Sequence, residues 1–306
     1  MSYVYLLAGE DLELAKADLQ GFLRSQKIEE TSDVVSRLAS TETEPEQLKR
    51  LGLTHEVSKI LYRGKKESID FDYRPQHSYA VRAENIDAEI EGAESEIGEY
   101  LSTEENSVDL ENPVETIKIY VLEDEIVVGK VIEDIDRSLF QERTNDNREF
   151  SSPVSLDPVL ARVLVNLSEA PPGSHVIDPF CGTGGILIEA GLCGIGVHGS
   201  DIQKEMVKGT RKNLEEYGII VHDIKECAID EVSEEFGTKF DALVTDLPYG
   251  QSSKSENRPI QNFLQSMDEI ADTKVFMYNE PELAGYEASF EVYVHKNLTR
   301  YIYVLD

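Results

Sequence analysis

Three stretches of this 306-residue chain hold residue types whose spacing could do chemistry. The first is Asp178-Pro179-Phe180-Cys181-Gly182-Thr183-Gly184-Gly185. Glycine carries no Cβ, so backbone there can lie directly against a ligand. The spacing is not the dinucleotide fingerprint, because Leu187 stands where a third glycine would fall, and no Gly-Lys-Ser/Thr follows to make a phosphate loop. The second is Asp201, 19 residues beyond Gly182. An acid at that offset suits hydrogen bonds to the hydroxyls of a ribose. The third is Asp246-Leu247-Pro248-Tyr249-Gly250. A carboxylate and a backbone carbonyl are both acceptors, and together they can hold the two hydrogens of a planar exocyclic amine. That amine is a poor nucleophile until its lone pair is localised, and a pair of acceptors does this. Pro248 stiffens the turn, and Tyr249 offers a ring on which a base can stack.

Each stretch needs a strand to aim it. His175 to Ile177, Gly196 to Ser200 and Phe240 to Thr245 read as short apolar strands that run directly into the three motifs. Helices are expected over Asp157 to Leu167, Gly185 to Cys193 and Ile202 to Tyr217, and a terminal hairpin over Phe290 to His295 and Thr299 to Leu305. This alternation predicts an α/β fold with a doubly wound, mostly parallel sheet, which gathers the motifs at the carboxyl ends of its strands. The first half reads as α+β. It has strands at Tyr3 to Leu7, Val57 to Tyr62, Tyr79 to Arg82, Thr116 to Leu122 and Ile126 to Ile132, and helices at Asp11 to Leu23, Pro45 to Leu51 and Ile86 to Leu101. The polar run Gln141 to Glu149 is the expected linker between the halves.

The chain carries 29 Lys plus Arg against 60 Asp plus Glu, a net charge of −31. Residues 1–150 hold 17 basic and 35 acidic side chains, so the acidity is not confined to one tail. A surface this evenly acidic suits a salt-rich cytosol, where screening removes self-repulsion. It also removes the usual argument for a nucleic-acid ligand, which rests on a basic balance. Arg63-Gly64-Lys65-Lys66 is the densest basic cluster, and Lys254 lies just beyond the third motif. Cys181, Cys193 and Cys227 form no CxxC pair, so neither a disulfide framework nor a cysteine-zinc site is expected. Cys181 reads as a small packing residue of the glycine loop rather than a nucleophile. The histidines, among them His175, His198, His222 and His295, sit singly in strand-like positions, so no metal is expected. No apolar run is long enough to span a bilayer, and the opening residues read as a strand rather than a signal peptide. A cytoplasmic monomer is expected.

The three motifs, in their order and spacing, resemble those of class I S-adenosylmethionine-dependent amino-methyltransferases. The run Phe150 to Pro158 (FSSPVSLDP) with Leu160, Ala161 and Arg162 resembles the segment before the glycine loop in archaeal tRNA guanine-10 N2-methyltransferases, as does the ending His295 to Arg300 (HKNLTR). His55-Glu56-Val57 near Lys59 to Tyr62, and Tyr79 to Arg82, are more loosely similar to that family's N-terminal and THUMP domains. The resemblance implies four segments: an N-terminal ferredoxin-like domain over 1–52, a THUMP-like RNA-binding domain over 53–140, a linker over 141–149, and a Rossmann-like methyltransferase domain over 150–306. It implies S-adenosylmethionine as cofactor and the N2 amine of a tRNA guanine as substrate. Asp178, Phe180, Gly182 and Gly184 would line the methionine end, and Asp201 would hold the ribose. Asp246 and the carbonyl of Leu247 would grip the amine, with Pro248 shaping the turn and Tyr249 stacking on the base. The family commonly has proline where Leu247 stands, but only the carbonyl is needed. At the adenine the family usually offers Asp-Ala, and the matching residues here are Cys227-Ala228, with Asp223 and Asp230 nearby. Arg63, Lys65, Lys66 and Lys254 are the candidate phosphate contacts on the tRNA. Two rivals fit the same residues: an amino-methyltransferase acting on adenine N6 or an rRNA guanine, and an RNA-binding protein with a vestigial methyltransferase half.

Overall fold

The computed structural model describes residues 2–29, 33–152, 155–248, 258–295 and 298–306. The chain forms two compact units. One gathers Met1–Lys16, Ile28–Lys49 and Leu53–Asp136, and the other Ala17–Lys27, Arg50–Gly52 and Arg137–Asp306.

In chain order the first part runs β1 (Tyr3–Leu7), α1 (Leu12–Ser25), β2 (Asp33–Val35), β3 (Leu38–Thr41), β4 (Thr54–Gly64), β5 (Ser78–Asn85), α2 (Ala93–Leu101), β6 (Ser107–Val108), β7 (Glu115–Val121) and β8 (Ile126–Asp134). The eight strands form one mixed sheet in the order β2-β3-β1-β4-β8-β7-β5-β6. Strand β4 pairs with β1 on one side and β8 on the other, so a domain boundary at 52–53 falls within one continuous sheet. Strand periodicity sorts β7. Ile117, Ile119 and Val121 pack under α2 on one face, while Tyr120 faces Val4, Leu6 and Leu38 on the other. Helix α2 buries Ala93, Ile97 and Leu101, spaced four apart. It is shorter than the expected Ile86 to Leu101, because Gly92 turns left-handed at φ 75° and starts the helix late. The helix expected over Pro45 to Leu51 reduces to one 3-10 turn at Leu48–Arg50.

The second part continues with α3 (Ser138–Gln141), α4 (Pro158–Leu167), β9 (His175–Asp178), α5 (Gly185–Leu192), β10 (Gly196–Asp201), α6 (Lys204–Glu216), β11 (Val221–Glu226), α7 (Val232–Phe236), β12 (Phe240–Asp246), α8 (Arg258–Ile270), β13 (Ala271–Tyr278), a small β14–β15 pair (Glu282–Leu283 and Tyr286–Glu287), β16 (Phe290–His295) and β17 (Leu298–Leu305). Seven strands make its sheet in the order β11-β10-β9-β12-β13-β17-β16. The first five are mutually parallel, and β17 joins β13 antiparallel. The chain leaves β9 toward β10 and later returns to β9's other side with β12, so the switch point of the doubly wound sheet lies between β9 and β12. The fold is Rossmann-like with a terminal antiparallel hairpin.

Residues 141–149 are partly exposed, with Arg148 buried and Arg143 half-buried. Arg143 donates to both carboxylate oxygens of Glu189, at 2.7 and 3.2 Å, and Arg162 adds a third bond at 2.7 Å. Glu189 on α5 is fully buried, and two guanidinium groups offset its desolvation. Both also lie over the Phe140 ring. Gln141, Glu142, Asp146, Asn147 and Glu149 of the run are exposed, while Arg143 reaches inward to a buried charge. Helix α4 starts where the sequence places it: the Asp157 carboxylate accepts from the Val159 and Leu160 amides at 2.9 and 3.3 Å, with Pro158 in the first turn.

Candidate active site

A crevice of about 800 Å³ opens at the carboxyl ends of β9, β10 and β12, and Asp178, Asp201 and Asp246 all line it. Three residues far apart in sequence meet because each ends a parallel strand.

Asp178 is 2% exposed. Its Oδ1 accepts from the Phe180 amide at 3.0 Å and from the Thr245 hydroxyl at 2.6 Å. Burial outweighs these bonds and pushes its carboxyl up to about 7, with the nearby Asp201 charge adding to the rise. The loop that follows is left-handed at Gly182 (φ 51°) and Gly184 (φ 82°). A Cβ at Gly184 would stand 2.9 Å from the Thr210 methyl, so only glycine fits. Thr210 also donates to the Gly182 carbonyl at 2.7 Å and fixes the loop from behind. Cys181 is buried, and its amide donates to the Ser200 carbonyl at 2.9 Å. Burial drives its thiol well above the usual range. A protonated thiol in the core is a packing residue, since attack requires the thiolate.

Asp201 holds the loop from the front. Its Oδ2 accepts from the Gly182 amide at 3.2 Å and its Oδ1 from the Gln203 amide at 2.8 Å. Burial raises its carboxyl and these amides pull it back. Each oxygen has a second lone pair for a ligand hydroxyl.

Asp246 is met by a residue the spacing did not reveal. Arg300, on β17, donates to its Oδ1. Burial lowers the Arg300 guanidinium to about 10, which leaves it charged at neutral pH. The pair keeps Asp246 oriented as an acceptor. Leu247 is fully buried, with its amide bonded to the Met277 carbonyl at 3.0 Å, while Pro248 is exposed at the crevice. Tyr249 and Lys254 lie outside the described residues.

At the end of β11 the expected pair divides. Ala228 lines the crevice, whereas the Cys227 side chain packs into the core with Ile177, Ile229 and Val232. Asp230 and Glu231, both exposed acids, also lie on the crevice wall; Asp223 instead pairs with Lys225 at 3.4 Å. Phe180 lines the crevice and packs on the core that contains Phe263. Sequence reasoning also missed Arg148. It is buried behind the glycine loop and donates to the Ser155 and Thr183 hydroxyls at 3.0 and 3.3 Å.

The expected basic cluster sits on β4 and the turn after it. Arg63 pairs with Glu125 at 2.7 Å, Lys66 pairs with Glu96 at 3.2 Å, and Lys65 is exposed. One expectation is overturned. His175, His198 and His222 do not stand apart: their ring nitrogens come within 4.8 Å of one another. They are 23 and 24 residues apart in sequence, one strand-helix period, and each sits near the start of its strand. That recurrence was the available signal. Among the described residues no helix is long and apolar enough to cross a membrane.

Residues 145–280 match the family model described as UPF0020, RMKL-like, methyltransferase domain. The tRNA (guanine(10)-N2)-dimethyltransferase of Methanothermobacter thermautotrophicus is 33% identical over 342 aligned residues, covering 100% of this chain and 99% of the relative. The protein of the same name from Pyrococcus abyssi is 32% identical, with 100% and 99% covered. The crystal structure of TrmN from Thermus thermophilus shares the fold at TM-score 0.58 and 18% identity, covering 100% of this chain and 99% of that one. So does SMU.472, a putative methyltransferase complexed with SAH, at TM-score 0.52 and 14% identity, with 99% and 97% covered.

Proposed function

The chain belongs to the archaeal tRNA (guanine(10)-N2)-dimethyltransferase family, and from that premise we propose that its crevice methylates the exocyclic N2 amine of a guanine in tRNA, at position 10, with S-adenosylmethionine as donor. The observation that carries this reading is the convergence of Asp178, Asp201 and Asp246 on one crevice at the switch point of the sheet. The residues suit such a cofactor. Two left-handed glycines open the loop to close approach, and Asp201 has acceptor capacity for a ribose diol.

When bound, S-adenosylmethionine supplies a methyl group on an electron-poor sulfonium sulfur. The chain's own work is orientation and proton handling. Asp178 and the backbone at Gly182 and Gly184 hold the methionine end, and Asp201 holds the ribose. Ala228 and the crevice acid Asp230 bound the adenine. Asp246 and the Leu247 carbonyl accept the two N2 hydrogens, which directs the nitrogen lone pair toward the methyl carbon. As the bond from nitrogen to the methyl carbon forms, the methyl–sulfur bond would break to leave a neutral thioether. The nitrogen would gain positive charge, which the Asp246 carboxylate would stabilise before accepting the released proton and passing it to water. Arg300 holds the carboxylate in place. Pro248 shapes the turn, and Tyr249 stacks on a guanine flipped from its stem, at a cost of a few kcal/mol.

The first unit acts as the tRNA-binding half, with a THUMP-like role. Phosphates would displace Glu125 from Arg63 and Glu96 from Lys66, with Lys65 beside them and Lys254 as a contact nearer the base. Mass spectrometry of nucleosides from a tRNA transcript incubated with the enzyme and S-adenosylmethionine tests the reaction. Methylated guanosine at N2 is expected. Methyl appearing only on adenine N6, or no methyl at all, overturns the reading.

A further inference from the structure

Toward the amino ends of the same strands, opposite the crevice, three imidazoles face one another. His175 opens β9, His198 lies in β10 and His222 lies in β11. The order β11-β10-β9 makes their strands immediate neighbours. The pairing of β10 with β11 shifts register between Val197 and His198, so Val197 is opposite Val221 while His198 is opposite Asp223. His222 is the extra residue at that shift, and such an irregularity re-aims a side chain. The rings end up with centroids 4.9 to 5.3 Å apart in all three pairs.

The nitrogens converge as well as the rings. His175 Nδ1 and His198 Nε2 are 3.0 Å apart, and all three residues offer a ring nitrogen within 4.8 Å of the others. Tetrahedral zinc with bonds of about 2.0–2.1 Å places its nitrogen ligands about 3.3 Å apart. The 3.0 Å pair is a hydrogen bond between two rings, slightly shorter than that spacing, and the other nitrogens lie within 4.8 Å, so the rings would turn to take the ion, His175 and His222 being exposed. The strand beneath makes room. A Cβ on Gly196 would lie 2.7 Å from His175 Nδ1 and 3.2 Å from His222 Nε2, so the absent side chain leaves open the space into which both nitrogens project. Phe236 and Phe240 flank His198, with ring centroids 6.2 and 4.9 Å away, and shield one side from water. Three imidazoles with a fourth position left to solvent suit zinc or a neighbouring late first-row divalent ion.

We propose that His175, His198 and His222 form a binding site for one divalent transition-metal ion of the zinc class, clipping β9, β10 and β11 together at the end of the sheet opposite the crevice. The site takes no part in methyl transfer and acts on the stability of the sheet. It rests on the histidine geometry alone, so failure of the methylation assay leaves it untouched.

The test uses the whole protein, stripped with a chelator and kept in molar salt so that its carboxylates are screened. Zn²⁺ is added, excess is removed by gel filtration, and bound metal is counted by elemental analysis. Co²⁺ is then used as a spectroscopic probe. One Zn²⁺ per chain is expected, with a Co²⁺ ligand-field spectrum of nitrogen and oxygen ligands and no thiolate charge-transfer band. The variant His175→Gln/His222→Gln changes two exposed side chains and should keep its circular dichroism. Its Zn²⁺ affinity should fall at least about 100-fold, beyond what loss of an outer-shell partner costs. A second variant, Gly196→Ala, keeps all three histidines but fills the gap between two of them, and should weaken binding too. Zn²⁺ should raise the melting temperature of the wild type and not of the double variant. No retained zinc in the wild type, or equal retention in the double variant, overturns the site. A thiolate band moves the metal to the cysteines and also overturns it.

Discussion

Strands β9 and β10 carry different chemistry at their two ends. Asp178 closes β9 and Asp201 closes β10, while His175 opens β9 and His198 lies three residues before Asp201. At the carboxyl ends the acids are satisfied by backbone amides: Phe180 for Asp178, Gly182 and Gln203 for Asp201. These amides belong to loops that enter helices, and helix amino termini favour negative groups. At the opposite end the loops leave helices, whose carboxyl termini favour positive ones. There the side chains meet each other, and burial beside two other imidazoles lowers His198 to about 4. Corresponding positions of successive units stack at one level, so like side chains meet there. Burial disfavours the charged form at both ends, raising Asp178 and Asp201 and lowering His198; what differs is the partner, backbone amides at one end and other imidazoles at the other.

Substitutions at each end should leave the other intact. The largest effect is expected for Asp246→Ala, with turnover falling by about 10²–10³ as an amine acceptor is lost. Cofactor affinity and zinc uptake should hold. Near-normal single-turnover rates would remove Asp246 from the chemistry. Asp201→Ala should weaken S-adenosylmethionine binding by about 10–100-fold, the worth of hydrogen bonds to a charged acceptor, read by calorimetric titration. Unchanged affinity would break the assignment of the ribose.

Asp178 gives a pH signature. Its carboxyl lies at about 7 in the folded chain against 3.8 for the ordinary group. The folded state therefore binds the proton more tightly. That contribution to stability is fully present below about 4 and is lost as pH rises through 7, by at most about 1.4 kcal/mol per pH unit. Asp178→Asn keeps an acceptor for Thr245 and Phe180 and should flatten the slope in denaturant titrations over this window. Parallel curves for variant and wild type would show that another group carries it. The smallest effect is expected from changing Arg63, Lys65 and Lys66 together to Gln. It should weaken tRNA binding and flatten its salt dependence while sparing cofactor affinity. Equal tRNA affinity at two salt concentrations would clear that patch.

The sequence exposed what is local. The glycine loop, the acid 19 residues on and the Asp246 turn follow predicted strands directly, so both the doubly wound sheet and the composition of its crevice were legible. Contacts made by topology alone were hidden. No spacing joins Asp246 to Arg300, which comes from a strand two places away in the sheet. Cys227 and Ala228 are adjacent, yet the turn after β11 sends one into the core and the other to the crevice. The histidine cluster is hidden in the sequence because its members come from three strands, 23 and 24 residues apart, rather than from one element where ligands sit a few residues apart.

The last two strands set an order of events. Strand β17 lies between β13 and β16, although β16 precedes it in the chain. The earlier strand has no place in the sheet until the later one has docked. Strand β17 therefore docks on β13 before β16 or together with it. Arg300 arrives with β17, so the sheet can close around β9, β10 and β12 before Asp246 meets its cation. Folding of this protein should show a late step in which activity appears after most of the secondary structure is in place.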